Sequence, residues 1–164
     1  MAAKAKNDGS GDEIRVISKN RRAFHEYEIM DRLECGVVLV GTEVKTLRDG
    51  HCSLEDAYAK LDEGELWLIG CEIPEYVQGN RLNHKPKRIR KLLVHRREME
   101  KFAGKASQKG FTLVPLMVYF KNGRAKVEIA VARGKQLHDK RESLKSADAK
   151  REIQRAMSRS RKRG

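Results

Sequence analysis

Apolar residues change their spacing several times along this chain, and each change predicts an element. Tyr27 to Gly41 carries Ile29 and Leu33, then Val37, Val38, Leu39 and Val40, which predicts a long strand bent at Gly36. Thr42 to Arg48 predicts a short helix with Thr42 as its N-cap, Val44 and Leu47 on one face, and Gly50 just past its end. Residues 57–61 and 65–69 flank Asp62-Glu63-Gly64 and predict a hairpin with a three-residue loop. Residues 111–120 and 124–133 flank Lys121-Asn122-Gly123, and Asn-Gly is the strongest short-range hairpin signal. The second arm alternates, with Val127, Ile129 and Val131 inward and Lys126 and Glu128 outward. Pro115 puts the first arm at an edge or a bulge, because proline cannot donate to a ladder. Arg96 to Ser107 predicts a helix ending near Gly110, with Met99, Phe102 and Ala103 on one face. Five or six strands with few helices imply a mainly β fold. Closure hides strand edges, so the expectation is a small OB-like antiparallel barrel with flanking helices.

The pattern fades at both ends. Residues 1–12 are small and polar and are expected to be disordered, leaving residues 13–134 for the barrel. Residues 135–164 hold eleven Lys or Arg against four acids. Leu144, Ala149, Ile153, Ala156 and Met157 form a thin helical stripe, too sparse to anchor the segment on a core. The expectation is a basic C-terminal tail, disordered when free, that folds on a partner.

Composition narrows the partner. The 164 residues carry a formal net charge of +13, with 36% charged and only 5% aromatic residues. Such a balance favours nucleic acid, although basic proteins also meet membranes and acidic proteins. The N-terminus has no apolar leader and no apolar run could span a bilayer, so a cytoplasmic location is expected. The three cysteines, Cys35, Cys52 and Cys71, form no C-x-x-C pair and are expected to be buried free thiols.

Signals for catalysis fail one by one. His25-Glu26 begins like a zinc-protease motif, but Ile29 stands where the second histidine would be. Gly104-Lys105 and Gly134-Lys135 lack the earlier glycine of a phosphate loop. There is no G-x-S-x-G, no paired carboxylates for a metal-dependent nuclease, and His51 beside Cys52 is isolated. No enzyme, no metal and no cofactor is expected.

Signals for RNA binding accumulate instead. Between His84 and Arg97 stand Lys85, Lys87, Arg88, Arg90, Lys91, Arg96 and Arg97 with no acid among them. Pro86 stiffens this run, and Leu92-Leu93-Val94 can moor it so that it offers fixed charges to phosphates. Upstream, Arg21 and Arg22 precede three ring side chains, Phe24, His25 and Tyr27. Phe24 and Tyr27 suit a core; His25 suits an RNA contact.

These segments, taken in order, resemble the small protein B family, also called the SsrA-binding proteins. Asn20-Arg21-Arg22-Ala23-Phe24-His25-Glu26-Tyr27 resembles the family's opening, and Gly41-Thr42-Glu43-Val44-Lys45-Thr46-Leu47-Arg48 its first helix. Gly79-Asn80, Asn83-His84 and Arg88-Ile89-Arg90-Lys91-Leu92-Leu93 resemble its basic loop. Val131-Ala132-Arg133-Gly134-Lys135 and Asp139-Lys140-Arg141 resemble its barrel exit and tail. The resemblance implies binding to the tRNA-like domain of tmRNA and entry to stalled ribosomes during trans-translation. The protein would stand in for the missing anticodon arm. The tail would sense the empty mRNA channel beside small-subunit RNA near the decoding centre. By the same resemblance Asn20, His25, Glu34, Leu93 and Lys126 belong to the tmRNA face. Gly134, Lys135, His138, Asp139, Lys140 and Arg141 would engage the ribosome. Glu34 could accept from a base or a 2′-hydroxyl, and Leu93 could support a base or only pack. The chain departs from the family pattern at His51, Ala130, Gln136 and Ala147. Two rivals remain open, a generic single-strand binder of OB type and a small ribonuclease.

Counterion release makes this reading measurable. With about six phosphate contacts, raising salt from roughly 50 to 200 mM should weaken RNA binding about a thousandfold. Affinity that stays flat in a salt titration would remove the electrostatic basis.

Overall fold

The structure is a computed structural model, and it describes residues 12–136, 141, 144–151 and 154. Seven strands form one antiparallel sheet: β1 (Ile14–Lys19), β2 (Tyr27–Val37), β3 (Tyr58–Asp62), β4 (Glu65–Ile69), β5 (Arg90–Leu93), β6 (Phe111–Lys121) and β7 (Arg124–Gly134). Their order is β1-β6-β3-β4-β5-β2-β7, and β6 also pairs with β7. That last pairing closes six strands into a ring and leaves β1 as a flap on β6. The result is the OB-like barrel expected from the strand pattern, with two thin seams. β3 meets β6 at a single pair, Ala59↔Leu113, and β2 meets β5 at Gly36↔Leu93 and Val37↔Leu92.

Several elements differ in detail from the sequence reading. Asp62 pairs with Glu65, so the first hairpin turns on two residues, Glu63 and Gly64, both at positive φ (47° and 75°). Asn122 and Gly123 repeat this geometry at 49° and 75°, as the right-handed twist of a two-residue hairpin demands. Pro115 sits at a bulge of β6, where the register with β7 shifts before Met117. The long strand β2 stops at Val37 rather than Gly41. Gly36 is the crossing point, paired with Lys126 on one side and Leu93 on the other. A Cβ there would stand 3.3 Å from the Leu93 Cβ, so the close approach favours glycine. Strands β1 and β5 and helix α1 (Arg21–Glu26) were not legible in the pattern. β1 shows Ile14 and Val16 to solvent, and β5 lies inside the basic run.

The core has two parts. Inside the barrel, Leu54, Leu66, Leu68, Leu113, Phe120, Val127, Ile129 and Val131 pack with Leu47 of α2 (Gly41–Arg48) and Phe102 of α3 (Arg96–Ala106). On the outer face of β6 and β7, Ala23 of α1 packs on Val114, Leu116, Ala130 and Ala132, flanked by Tyr27 and Ile29. Residues Ile129 to Ala132 are therefore buried on both faces, and the expected alternation ends where α1 lands. Small side chains at 130 and 132 let the helix approach. Asn20 fixes it there. Its Oδ1 accepts from Ala23 N (3.0 Å), while its Nδ2 donates to the carbonyls of Leu54 and Pro115 (both 3.1 Å).

Glu43 organises the opposite side. Its carboxylate is fully buried and accepts from Val40 N (2.9 Å), which makes Val40, rather than Thr42, the N-cap of α2. Arg90 Nε donates to Oε1 (2.9 Å) and Arg88 Nη2 to Oε2 (2.7 Å). Arg90 also donates to the carbonyls of Cys71 (2.7 Å), Arg88 (2.9 Å) and Pro86 (3.0 Å), so its buried guanidinium has partners on several sides. The connection from β4 to β5 is further pinned by Asn83, whose side chain bonds both the N–H and the carbonyl of Tyr76. His84 bridges Thr42 and the Ile73 carbonyl, each at 2.9 Å.

Removing one partner of a buried ion pair is costly because it strands the other charge. Glu43→Ala should lower the unfolding free energy by about 3–5 kcal/mol, and Arg90→Ala by a similar amount, in urea titrations. Burial pushes the Glu43 carboxyl up, but the Arg88 hydrogen bond, the Val40 N–H and both arginine charges outweigh it and hold it below its ordinary value. Its contribution is therefore complete above the ordinary carboxylate range and is lost as pH falls through the folded value. Wild type should lose stability in acid more steeply than Glu43→Gln. An Arg90→Ala chain as stable as wild type would overturn the buried assignment.

Candidate nucleic-acid interface

Alternation along β7 turns Lys126, Glu128, Ala130 and Ala132 to the outer face, because Val127, Ile129 and Val131 point into the barrel. At a strand rise of about 3.4 Å per residue this strip runs roughly 20 Å from beneath α1 to the open end. Glu34 of β2 lies on the same face. Its Oε2 accepts from Tyr119 Oη at 2.5 Å and lies 3.5 Å from Lys121 Nζ, while its Oε1 lies 3.7 Å from Lys126 Nζ. The Tyr119 hydrogen bond holds the Glu34 carboxyl below its ordinary value, partly offset by burial and helped by the two lysines. The Tyr119 hydroxyl is pushed up by burial first and by the Glu34 hydrogen bond and charge next, so it remains a donor at neutral pH. Glu34 is therefore a fixed, ionised acceptor.

Beside it opens a groove of about 740 Å³ lined by Glu34, Val37, Leu93, His95, Arg124 and Lys126. Leu93 is 51% exposed although it sits in a strand, an apolar face presented next to charge. Toward α1, Arg32 stands 3.7 Å from Glu128 Oε1 and lies over the Phe24 ring at 5.7 Å. At the end of β7, Lys135 N donates to Glu26 O (2.9 Å) and Lys135 Nζ to Phe24 O (3.3 Å). The exit of the barrel is thus tied to the helix that exposes His25 and Arg21.

The structure sorts the expected residues unequally. Glu34, Leu93 and Lys126 meet in one groove, and His25, Arg21, Gly134 and Lys135 meet at the α1 end. Asn20 is a correction: it is 4% exposed, with its side chain spent on three backbone groups, so it shapes the surface without forming it. Arg90 is another: it is fully buried on Glu43 and offers nothing to a phosphate. Arg88 is partly exposed, but its fork is also given to Glu43. Lys91 lies on a different wall, paired with Glu65 and over the Trp67 ring. Arg22 is exposed and bonded to Glu26 at 2.9 Å. Phe24, read as core, is exposed beneath Arg32, whereas Tyr27 does pack. His138, Asp139 and Lys140 lie outside the described residues. Arg141, residues 144–151 and residue 154 are helical and exposed. Among the described residues no cluster of three or more His, Cys, Asp or Glu could hold a metal ion, and no helix is long and apolar enough to cross a membrane.

Sequence reading missed Tyr119, Lys121, Arg124 and Arg32. A signal for three of them existed. Once Asn122-Gly123 is taken as the two-residue turn, Lys121 must face Arg124 and Tyr119 must face Lys126.

The fold and this surface define the class: an OB-like barrel whose outer strip sets lysines and arginines around a fixed carboxylate acceptor and an exposed leucine. The model of the SmpB protein family matches residues 17–159. The SsrA-binding protein of Corynebacterium urealyticum is 56% identical over 144 residues, covering 88% of this chain and 81% of that one. That of Thermobifida fusca is 53% identical over 161 residues, covering 98% of this chain and 100% of that one. A solved structure described as "tmRNA-SmpB: a journey to the center of the bacterial ribosome" is 44% identical, with a TM-score of 0.63, covering 77% of this chain and 93% of its own. The chain belongs to the SmpB family.

Tyr119→Phe removes one hydrogen bond to a charged acceptor and leaves the ring in place. If Glu34 serves RNA, affinity should fall about tenfold. The loss of affinity in acid should also begin at higher pH than in wild type, because the carboxyl is no longer held down. A purely structural tyrosine would change stability without moving that pH profile.

Proposed function

We propose that this chain binds tmRNA through its tRNA-like domain and carries it to stalled ribosomes for trans-translation, working by binding and not by catalysis. Membership of the SmpB family supports this, together with the solved relative described as tmRNA-SmpB in the bacterial ribosome. The single structural observation that carries it is the ionised Glu34 between Tyr119, Lys121 and Lys126, beside the exposed Leu93. A phosphate-only surface has no use for a carboxylate held ionised at its centre. An acceptor-only group among cations suits base amino groups and 2′-hydroxyls, while the lysines and arginines take phosphates. Leu93 and His25 supply faces on which an unpaired base can rest.

The tmRNA face then comprises Arg21, His25, Arg32, Glu34, Leu93, Tyr119, Lys121, Arg124 and Lys126. Asn20, Arg88 and Arg90 contribute by holding α1 and β5 in place. The barrel stands in for the missing anticodon arm. The segment Gly134, Lys135, His138, Asp139, Lys140 and Arg141 engages small-subunit RNA near the decoding centre and the mRNA channel. The setting is the bacterial cytoplasm.

Labelled tmRNA separates the readings: selective binding without cleavage supports this one, equal affinity for any RNA supports a generic single-strand binder, and cutting supports a ribonuclease. Truncation after Gln136, which spares the Lys135 contacts with α1, should leave tmRNA affinity largely intact and abolish tagging of stalled chains. A charge-preserving scramble of residues 137–157 should also fail to tag. Wild-type tagging by the scramble would mean that only the charge of the segment matters.

A further inference from the structure

Cys52 and Cys71 are far apart in the chain, yet their Sγ atoms lie 3.7 Å apart with one thiol donating to the other. The backbone enforces this meeting. Ser53 and Glu72 form an isolated antiparallel bridge, N to O at 2.9 and 3.0 Å in the two directions, which puts Cys52 and Cys71 diagonally across the pair on the same face. Cys52 is half-buried, whereas Cys71 is buried and its carbonyl is held by Arg90. The hydrogen bond from Cys52 lowers the Cys71 value, against burial and with help from the Arg90 charge; the same bond, with burial, raises that of Cys52. Cys71 is thus the sulfur that loses its proton first. Cys35 differs: it is fully buried in the barrel interior, and burial pushes its thiol up to about 12.

We propose that Cys52 and Cys71 are a peroxide-oxidisable pair that forms a reversible disulfide in the folded protein. Hydrogen peroxide is small enough to enter beside the half-buried Cys52. The Cys71 thiolate attacks one peroxide oxygen and breaks the O–O bond; its sulfur is oxidised to a sulfenic acid, and the expelled hydroxide takes up a proton as water. The Cys52 sulfur then attacks the Cys71 sulfur, and the displaced hydroxide leaves with the Cys52 proton as a second water. Two thiols and one peroxide give one disulfide and two waters. Closure to an S–S bond of about 2.05 Å asks the two sulfurs to approach by about 1.7 Å, a movement shared by two side chains. The new bond encloses the β3–β4 hairpin. It ties the end of α2, which carries Glu43, to the strand end that Arg90 holds. Neither cysteine lines the Glu34 groove, so oxidation stiffens the scaffold and leaves the RNA surface alone. The inference stands independently of the proposed function.

The test uses the full, reduced chain under native conditions with hydrogen peroxide, followed by alkylation, intact mass and peptide mapping. The expected product is lighter by about 2 Da before alkylation, the two hydrogens lost, with a Cys52–Cys71 linked peptide and Cys35 still alkylatable. Dithiothreitol should restore all three thiols of the sequence. The oxidised form should melt roughly 5–10 °C higher. Cys52→Ser and Cys71→Ser should each abolish the cross-link, with far-UV circular dichroism confirming the fold; if either fails to fold, the wild-type peptide map decides alone. Three unreacted thiols, a link through Cys35, or gain of two oxygens at Cys52 or Cys71 without a cross-link would overturn the proposal.

Discussion

The carboxylate of Glu43 has no contact with solvent, and the geometry of the groove beside Glu34 depends on it. It closes the first turn of α2 through Val40 and takes up the guanidinium groups of Arg88 and Arg90. Arg90 opens strand β5, which touches β2 at only two residue pairs. So short a seam would hold poorly by itself, and the buried ion cluster clamps it from behind. With β5 fixed, Leu93 comes to rest against Gly36 and beside Glu34 and Lys126. A buried charge cluster is not a gain over apolar packing, but once built it cannot be partly dismantled without stranding a charge. Such a cluster suits a scaffold that must keep one short strand in one place.

Two kinds of acid therefore do different work among the basic residues. Glu43 turns two arginines inward and takes them out of the surface charge. Glu34 stays outside, held ionised by Tyr119 and two lysines. The surface that results is a mixed strip of cations, the carboxylates of Glu34 and Glu128, an exposed leucine and a histidine. In the proposed complex, phosphate attraction would supply affinity, and the acceptor and apolar faces would supply discrimination, the division expected where unpaired bases are recognised.

Much of the fold was legible in the chain. The Asn-Gly hairpin, the alternating arm 124–133 and the helix around Phe102 announce themselves through spacing and turn chemistry. Strand β1 was not legible because Ile14 and Val16 face solvent, only Ile17 packs on the core, and its partner strand is a hundred positions away. Helix α1 was hidden because it buries one alanine on the outside of the barrel, too little for a periodic signal. Legibility of the site split along a physical line. Glu34, Leu93 and Lys126, which share one groove, were singled out through resemblance. Charge counting alone put Arg88 and Arg90 on the surface, since a run of basic residues carries no mark of a buried acid forty residues upstream. Asn20 misled for a similar reason: an asparagine that caps a helix and one that touches RNA look alike in sequence.

The central claim is that RNA lies along the outer strip of β7, β2 and β6 and not on the basic run before β5. Mass-spectrometric mapping of lysine acetylation with and without tmRNA tests it directly. The account predicts that tmRNA protects Lys121 and Lys126 while the exposed Lys85 and Lys87 of the basic run react as they do in the free protein. Protection at Lys85 and Lys87 with Lys121 and Lys126 unchanged would contradict it.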